Sequence, residues 1–108
     1  PIGYADGFRR GLSGRTDFIV SGQRFRQVGN ICMDQCMVDV SAVPQAKVGD
    51  TVTLIGRDGE DEITAAEIAG IMETIHYEVV CDISKRVTRV YLKNGKEVSV
   101  LDCILDKY

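Results

Sequence analysis

Apolar and polar residues alternate along much of the chain with the period of two that marks extended backbone. Asp17-Phe18-Ile19-Val20, then Ser21-Gly22, then residues 23–28 predict a hairpin closed by a glycine turn. Residues 31–40 form a longer extended run. As a strand it would set Cys32, Asp34, Cys36, Val38 and Val40 on one face, with Ile31, Met33, Gln35, Met37 and Asp39 on the other. Asp34 would then sit on an otherwise apolar face, where a carboxylate must be paired, hydrogen-bonded or solvated by a cleft. Pro44 and Gly49-Asp50 close that section, and residues 51–55 read as another strand. Residues 87–92 and 97–101 read as two more, joined through Asn94-Gly95, a strong hairpin signal.

The period changes once. Thr64-Ala65-Ala66-Glu67 has the form of a capping box, in which the threonine oxygen takes an orphan amide and the glutamate reaches back. Ile63 and Ile68 can form the accompanying hydrophobic staple, and Ile68, Ile71, Met72 and Ile75 then repeat at helical spacing. The pattern as a whole predicts a mainly β, barrel-like domain with one packed α-helix.

At 108 residues the chain has room for one domain. A net charge of −3 offers no basic excess for phosphates, which argues against nucleic acid as a partner. No apolar run approaches the roughly 18 residues of a membrane helix. The cysteines Cys32, Cys36, Cys81 and Cys103 lack the spacing of a zinc clamp and read as reduced thiols in a cytoplasmic protein, so no metal site is expected. Gly3-x3-Gly7 followed by Arg9 and Arg10 is either an anion-approaching loop or an ordinary turn. His76 offers no convincing nucleophile pair, and Asp34 is either a structural anchor or part of a site.

Three segments reach further: Pro1-Ile2-Gly3-Tyr4-Ala5-Asp6-Gly7, Gly29-Asn30-Ile31-Cys32-Met33-Asp34-Gln35, and Thr74-Ile75-His76-Tyr77-Glu78-Val79-Val80-Cys81. In order and spacing they closely resemble the C-terminal β-domain of bacterial alanine racemase. Val48-Gly49-Asp50, Leu54-Ile55-Gly56 and Lys85-Arg86-Val87 fit the intervals. The resemblance implies a Greek-key-like β-barrel domain over residues 1–108, lacking its first strands and the (β/α)8 barrel that precedes it in the family. The chain opens at Pro1, inside a motif, as a fragment is expected to. It further implies a cytoplasmic homodimer that uses pyridoxal 5'-phosphate to interconvert L- and D-alanine for peptidoglycan synthesis. Such chemistry needs an electron sink and one base on each face of Cα.

Residue by residue, the resemblance assigns this chain an accessory shell and neither catalytic base. The family's lysine belongs to the barrel, and its tyrosine lies in a Ser-Tyr-Gly motif that this chain does not contain. The isolated chain is therefore expected to be inactive. Met33 matches the residue whose backbone N–H meets the substrate carboxylate, from the partner subunit. Tyr77 matches a tyrosine whose hydroxyl reaches the cofactor phosphate. Tyr4, Arg10, Asn30 and Asp34 match residues of the substrate entryway, Asn30 standing where many members carry arginine. Two alternatives remain open at this stage: the racemase module of a membrane-bound serine/alanine racemase, and a stand-alone, non-catalytic β-module. The serine-active proteins tend to carry a smaller polar residue at the Tyr77 position, so Tyr77 favours alanine.

Overall fold

The computed structural model describes residues 1–104. Its centre is an antiparallel four-stranded sheet in the order β3-β2-β1-β4. The strands are β1 (Asp17–Val20), β2 (Gln23–Val28), β3 (Met37–Val38) and β4 (Val52–Thr53). The sheet curls into half a barrel, so the expected β-barrel domain is present as an open half. β1 and β2 form the expected hairpin, with Ser21 at φ 53° and Gly22 at φ 77° in the left-handed pair that suits a two-residue turn between twisted strands. Phe18, Ile19 and Val20 are buried, and Phe18 meets Phe8 with ring centroids 5.5 Å apart. Leu12, Ile31, Ile63, Ile68 and Val79 complete the core. Each such side chain contributes about 1.5–3 kcal/mol by leaving water.

Two smaller hairpins flank the sheet. β5 (Gly56–Asp58) pairs with β6 (Asp61–Ile63), and β7 (Arg89–Lys93) pairs with β8 (Lys96–Leu101). The Asn94-Gly95 turn closes the second of these, and a bulge between Tyr91 and Leu92 shifts its register. Val87 stays outside β7 because its N–H closes a turn onto the Ser84 carbonyl.

Two helices stand where one was expected: α1 (Ala65–Met72) and α2 (His76–Cys81). Thr64 caps α1, its hydroxyl oxygen accepting the Glu67 N–H at 3.1 Å, and Ile63 and Ile68 are both buried. Glu67 does not reach back to the cap, because Arg24 of β2 takes both carboxylate oxygens, at 2.6 and 2.8 Å. The apolar stripe also stops early. Glu73 turns left-handed at φ 57° and ends α1, which leaves Ile75 exposed as the residue before α2.

The long strand expected over residues 31–40 is a loop for most of its length, with only Met37–Val38 paired. The Cys32 N–H donates to the Gln35 carbonyl and turns the chain back on itself, while the Cys32 and Met33 carbonyls accept from Tyr4 and Ala5. Those bonds fix the backbone in a reversal, so the two alternating faces never form. Ile31 is buried, whereas Cys32, Met33, Asp34 and Gln35 are exposed.

Candidate functional site

The first segment of the chain is seated by two glycines. A Cβ on Gly3 would lie 2.0 Å from the Cys32 carbonyl oxygen, and one on Gly7 would lie 2.1 Å from that of Asp82. Gly7 also sits at φ 106°, a conformation that a side chain strains. Both glycines therefore serve close backbone packing, and backbone occupies the space that an anion would need. Residues 1–7 lie between the 30–35 loop on one side and the end of α2 on the other.

Charged pairs lock this sandwich. The Arg9 guanidinium contacts Glu78 at 3.0 Å and Asp82 at 2.6 Å, which ties the first segment to α2. Hydrogen bonding to Asp82, then the nearby charges, keeps the Arg9 pKa above its ordinary value. Asp6 is buried, and its Oδ2 accepts the Gly3 N–H at 2.9 Å. Arg86 Nε lies 3.3 Å from the other Asp6 oxygen, and Arg86 Nη2 donates to Asp34 at 2.5 Å. Asp34, expected on an apolar strand face, is thus an exposed loop carboxylate held by an arginine.

The base of the 30–35 loop is equally fixed. Buried Gln27 donates to the carbonyls of Val28 and Gly29 and accepts the Gly14 N–H at 2.6 Å. Ser13 Oγ donates to the Arg10 carbonyl at 2.6 Å and accepts the Ile31 N–H at 2.8 Å. Arg10 therefore lies one hydrogen-bonded step from Asn30-Ile31. Its guanidinium has no carboxylate within ion-pair distance among the described residues, and the cation paired with Asp34 is Arg86.

Tyr4, Met33 and Asp34 are brought together, with Asn30 and Arg10 at the base of the same loop. Met33 is 52% exposed. Its carbonyl accepts from Ala5 at 3.0 Å, and its N–H meets no acceptor among the described residues. Cys32 points its carbonyl at the Tyr4 N–H, so the trans peptide aims the Met33 N–H the opposite way, out from the first segment. Tyr77 stands apart on α2. It is 71% exposed, with its ring 4.2 Å from that of His76 and its hydroxyl unpartnered among the described residues.

Sequence reasoning missed Arg86 and Asp6. Arg86 is 52 positions from Asp34, and no local spacing signals such a pair. An apolar cleft of about 370 Å³, lined by Pro1, Ile2, Phe18, Val38, Val52 and Leu54 among others, opens at the free side of the sheet. Asp50 and Cys36 are the polar side chains on these otherwise apolar walls. All four cysteines are free, with burial pushing the Cys36 thiol up. Among the described residues no group of three or more His, Cys, Asp or Glu could hold a metal, and no helix is long and apolar enough to cross a membrane.

The family model for the alanine racemase C-terminal domain matches residues 1–91. Alanine racemase 1 of Clostridium acetobutylicum is 49% identical over 93% of this chain and 26% of its own length. The crystal structure of alanine racemase from Bacillus anthracis with bound L-Ala-P is 43% identical and superposes with a TM-score of 0.90, covering 97% of this chain and 26% of that one. A structure of the Bartonella henselae alanine racemase with covalently bound pyridoxal phosphate is 33% identical, with a TM-score of 0.74 over 84% of this chain and 26% of that one. The chain spans about a quarter of the length of these relatives.

Proposed function

The chain belongs to the alanine racemase C-terminal domain family, and from that premise we propose that residues 1–108 are the C-terminal domain of an enzyme that interconverts L- and D-alanine. In this reading the enzyme is a cytoplasmic homodimer, uses pyridoxal 5'-phosphate, and supplies D-alanine for peptidoglycan. The (β/α)8 barrel with its catalytic lysine, the Ser-Tyr-Gly motif with the tyrosine base, and the first strands of the β-domain come from outside these residues.

The cofactor, when bound, supplies an electron sink for the pair released at Cα as the proton leaves. This chain's own residues bind and orient around that chemistry. The Met33 N–H, unpartnered among the described residues, is an amide donor on a loop braced from both sides, and such a donor can hold the substrate carboxylate in the partner subunit's site so that Cα stays aligned between the bases. The Tyr77 hydroxyl, exposed at the start of α2, is a donor suited to a phosphate oxygen. The Tyr77 donor suits the phosphate of such a cofactor and the Met33 donor suits the substrate carboxylate at the partner subunit's site, while the Gly3–Gly7 turn, its N–H groups already engaged, suits neither. Tyr4, Arg10, Asn30 and Asp34 form the access side of the pocket, where the uncommitted Arg10 guanidinium can draw in a carboxylate.

The observation that carries this reading is the outward-aimed Met33 N–H beside Tyr4, unpartnered among the described residues. The test is an optical-rotation or D-alanine-specific assay on the intact protein containing this domain, loaded with pyridoxal 5'-phosphate. Racemisation of alanine is expected there, and none by residues 1–108 alone. A folded, loaded intact protein that leaves L-alanine unchanged overturns the proposal.

A further inference from the structure

One guanidinium joins three stretches of chain that are distant in sequence. Arg86 contacts Asp6 at 3.3 Å and Asp34 at 2.5 Å, and its own N–H donates to Ser84 Oγ at 3.2 Å. Asp6 is the fixed end of this bridge: it is buried, its carboxylate takes the Gly3 N–H, and its carbonyl takes the Ser84 N–H at 2.9 Å. Asp34 is the loose end, an exposed side chain on the residue that follows Met33. We infer that Arg86 is a positioning residue for the substrate carboxylate: it pulls the Asp34 carboxylate against the buried Asp6 anchor and so steadies the loop that presents the Met33 N–H.

Two physical effects run through the one contact. Tyr4 and Ala5 brace the 30–35 loop from the side of Cys32 and Met33, and Arg86 braces it from Asp34, so the reversal is held at both ends. Arg86 also neutralises a carboxylate next to the amide that is to receive another carboxylate. Without the guanidinium, Asp34 would be an unpaired negative charge beside the incoming one, and like charges at such range oppose binding. The arginine fork can engage both aspartates at once, which a lysine cannot reproduce.

The inference rests on the reading of Met33 as carboxylate donor, and the experiment separates the two. In the intact, cofactor-loaded enzyme, Arg86→Gln should raise KM for alanine about tenfold while kcat changes less than about threefold, because a ground-state contact is weakened. Inhibition by propionate, which keeps the carboxylate, should weaken in parallel. Inhibition by alaninamide, which lacks it, should stay as in the parent. Arg86→Gln combined with Asp34→Asn should be no worse than Arg86→Gln alone, since both act through one contact. An unchanged KM, equal weakening of propionate and alaninamide, or additive losses in the double variant overturns the inference. If Arg86→Gln does not fold, Arg86→Lys takes its place, with an intermediate KM and the same propionate selectivity expected; a parental KM overturns the inference. Met33→Pro removes the N–H itself. A raised KM there with a parental KM in Arg86→Gln defeats the Arg86 inference alone, while a parental KM in folded Met33→Pro defeats the carboxylate reading and the inference with it.

Discussion

Tyr77 sits on the second residue of a six-residue helix, with its ring against His76 and its hydroxyl free of protein partners among the described residues. A ring in that place adds bulk to a pocket wall, and a hydroxyl engaged with a phosphate is not available to a second hydroxyl on the substrate. In the proposed racemase, Tyr77→Asn should open room and offer a hydrogen-bond partner, raising serine turnover relative to alanine. Discrimination of this kind is worth about 1–3 kcal/mol, so the ratio of kcat/KM for L-serine to that for L-alanine should rise roughly ten- to a hundredfold. A parental ratio in folded, cofactor-loaded Tyr77→Asn removes Tyr77 from the specificity argument. At this scale the sequence shows residue types and motif order clearly. It shows partners poorly, and Asp34 is the example: its need for a cation follows from elementary electrostatics, but nothing near it in the chain names Arg86 over Arg10.

Among the elements, local signals of high specificity translate directly into structure. The Ser21-Gly22 and Asn94-Gly95 turns and the Thr64 cap all form where the sequence puts them, because each depends on only a few adjacent residues. Elements that depend on distant partners diverge. Residues 31–40 alternate well enough for a strand, yet Tyr4 and Ala5 take the backbone carbonyls and bend the run into a loop. Glu67 has the spacing of a capping box, yet a bidentate arginine from β2 outcompetes the cap N–H. That pair stitches α1 to the sheet, and hydrogen bonding to Arg24 holds the Glu67 carboxyl below the usual carboxylate range. A depressed folded-state pKa contributes stability that is fully present above the unfolded value near 4.3 and is lost as pH falls through the folded value. Glu67→Gln should therefore lower Tm at neutral pH and flatten the decline of Tm on the acid side. Parallel acid limbs for the two proteins in thermal melts between about pH 6 and 3 would contradict this.

For the molecule as a whole, the half-barrel leaves β3 and β4 as edge strands, and the β7–β8 hairpin carries exposed Val90, Leu92, Val98 and Val100. Unpaired edges and apolar hairpin faces favour association between chains. Residues 1–108 alone should self-associate at tens of micromolar, and Val90→Thr with Val100→Thr should reduce this in sedimentation velocity. A strict monomer for the unsubstituted chain at about 100 μM, a range where exposed apolar surface normally drives association, would count against it.

The seating of the first segment carries a consequence in time. Gly7 packs against the Asp82 backbone and Arg9 pairs with Glu78 and Asp82, the Arg9–Asp82 contact spanning 73 residues. On a ribosome adding about 5–20 residues per second, the first segment would wait roughly 4–15 s for the helix it rests on. Over that interval the Asp6 carboxylate has the Gly3 N–H within reach, three residues away, and neither Arg86 nor the Ser84 N–H. The two walls of the site are therefore made at different times: Tyr4 and Ala5 can meet the Cys32 and Met33 carbonyls early, while a ribosome stalled before residue 82 would hold that half, and a β1–β2 hairpin already able to form, with none of the far wall.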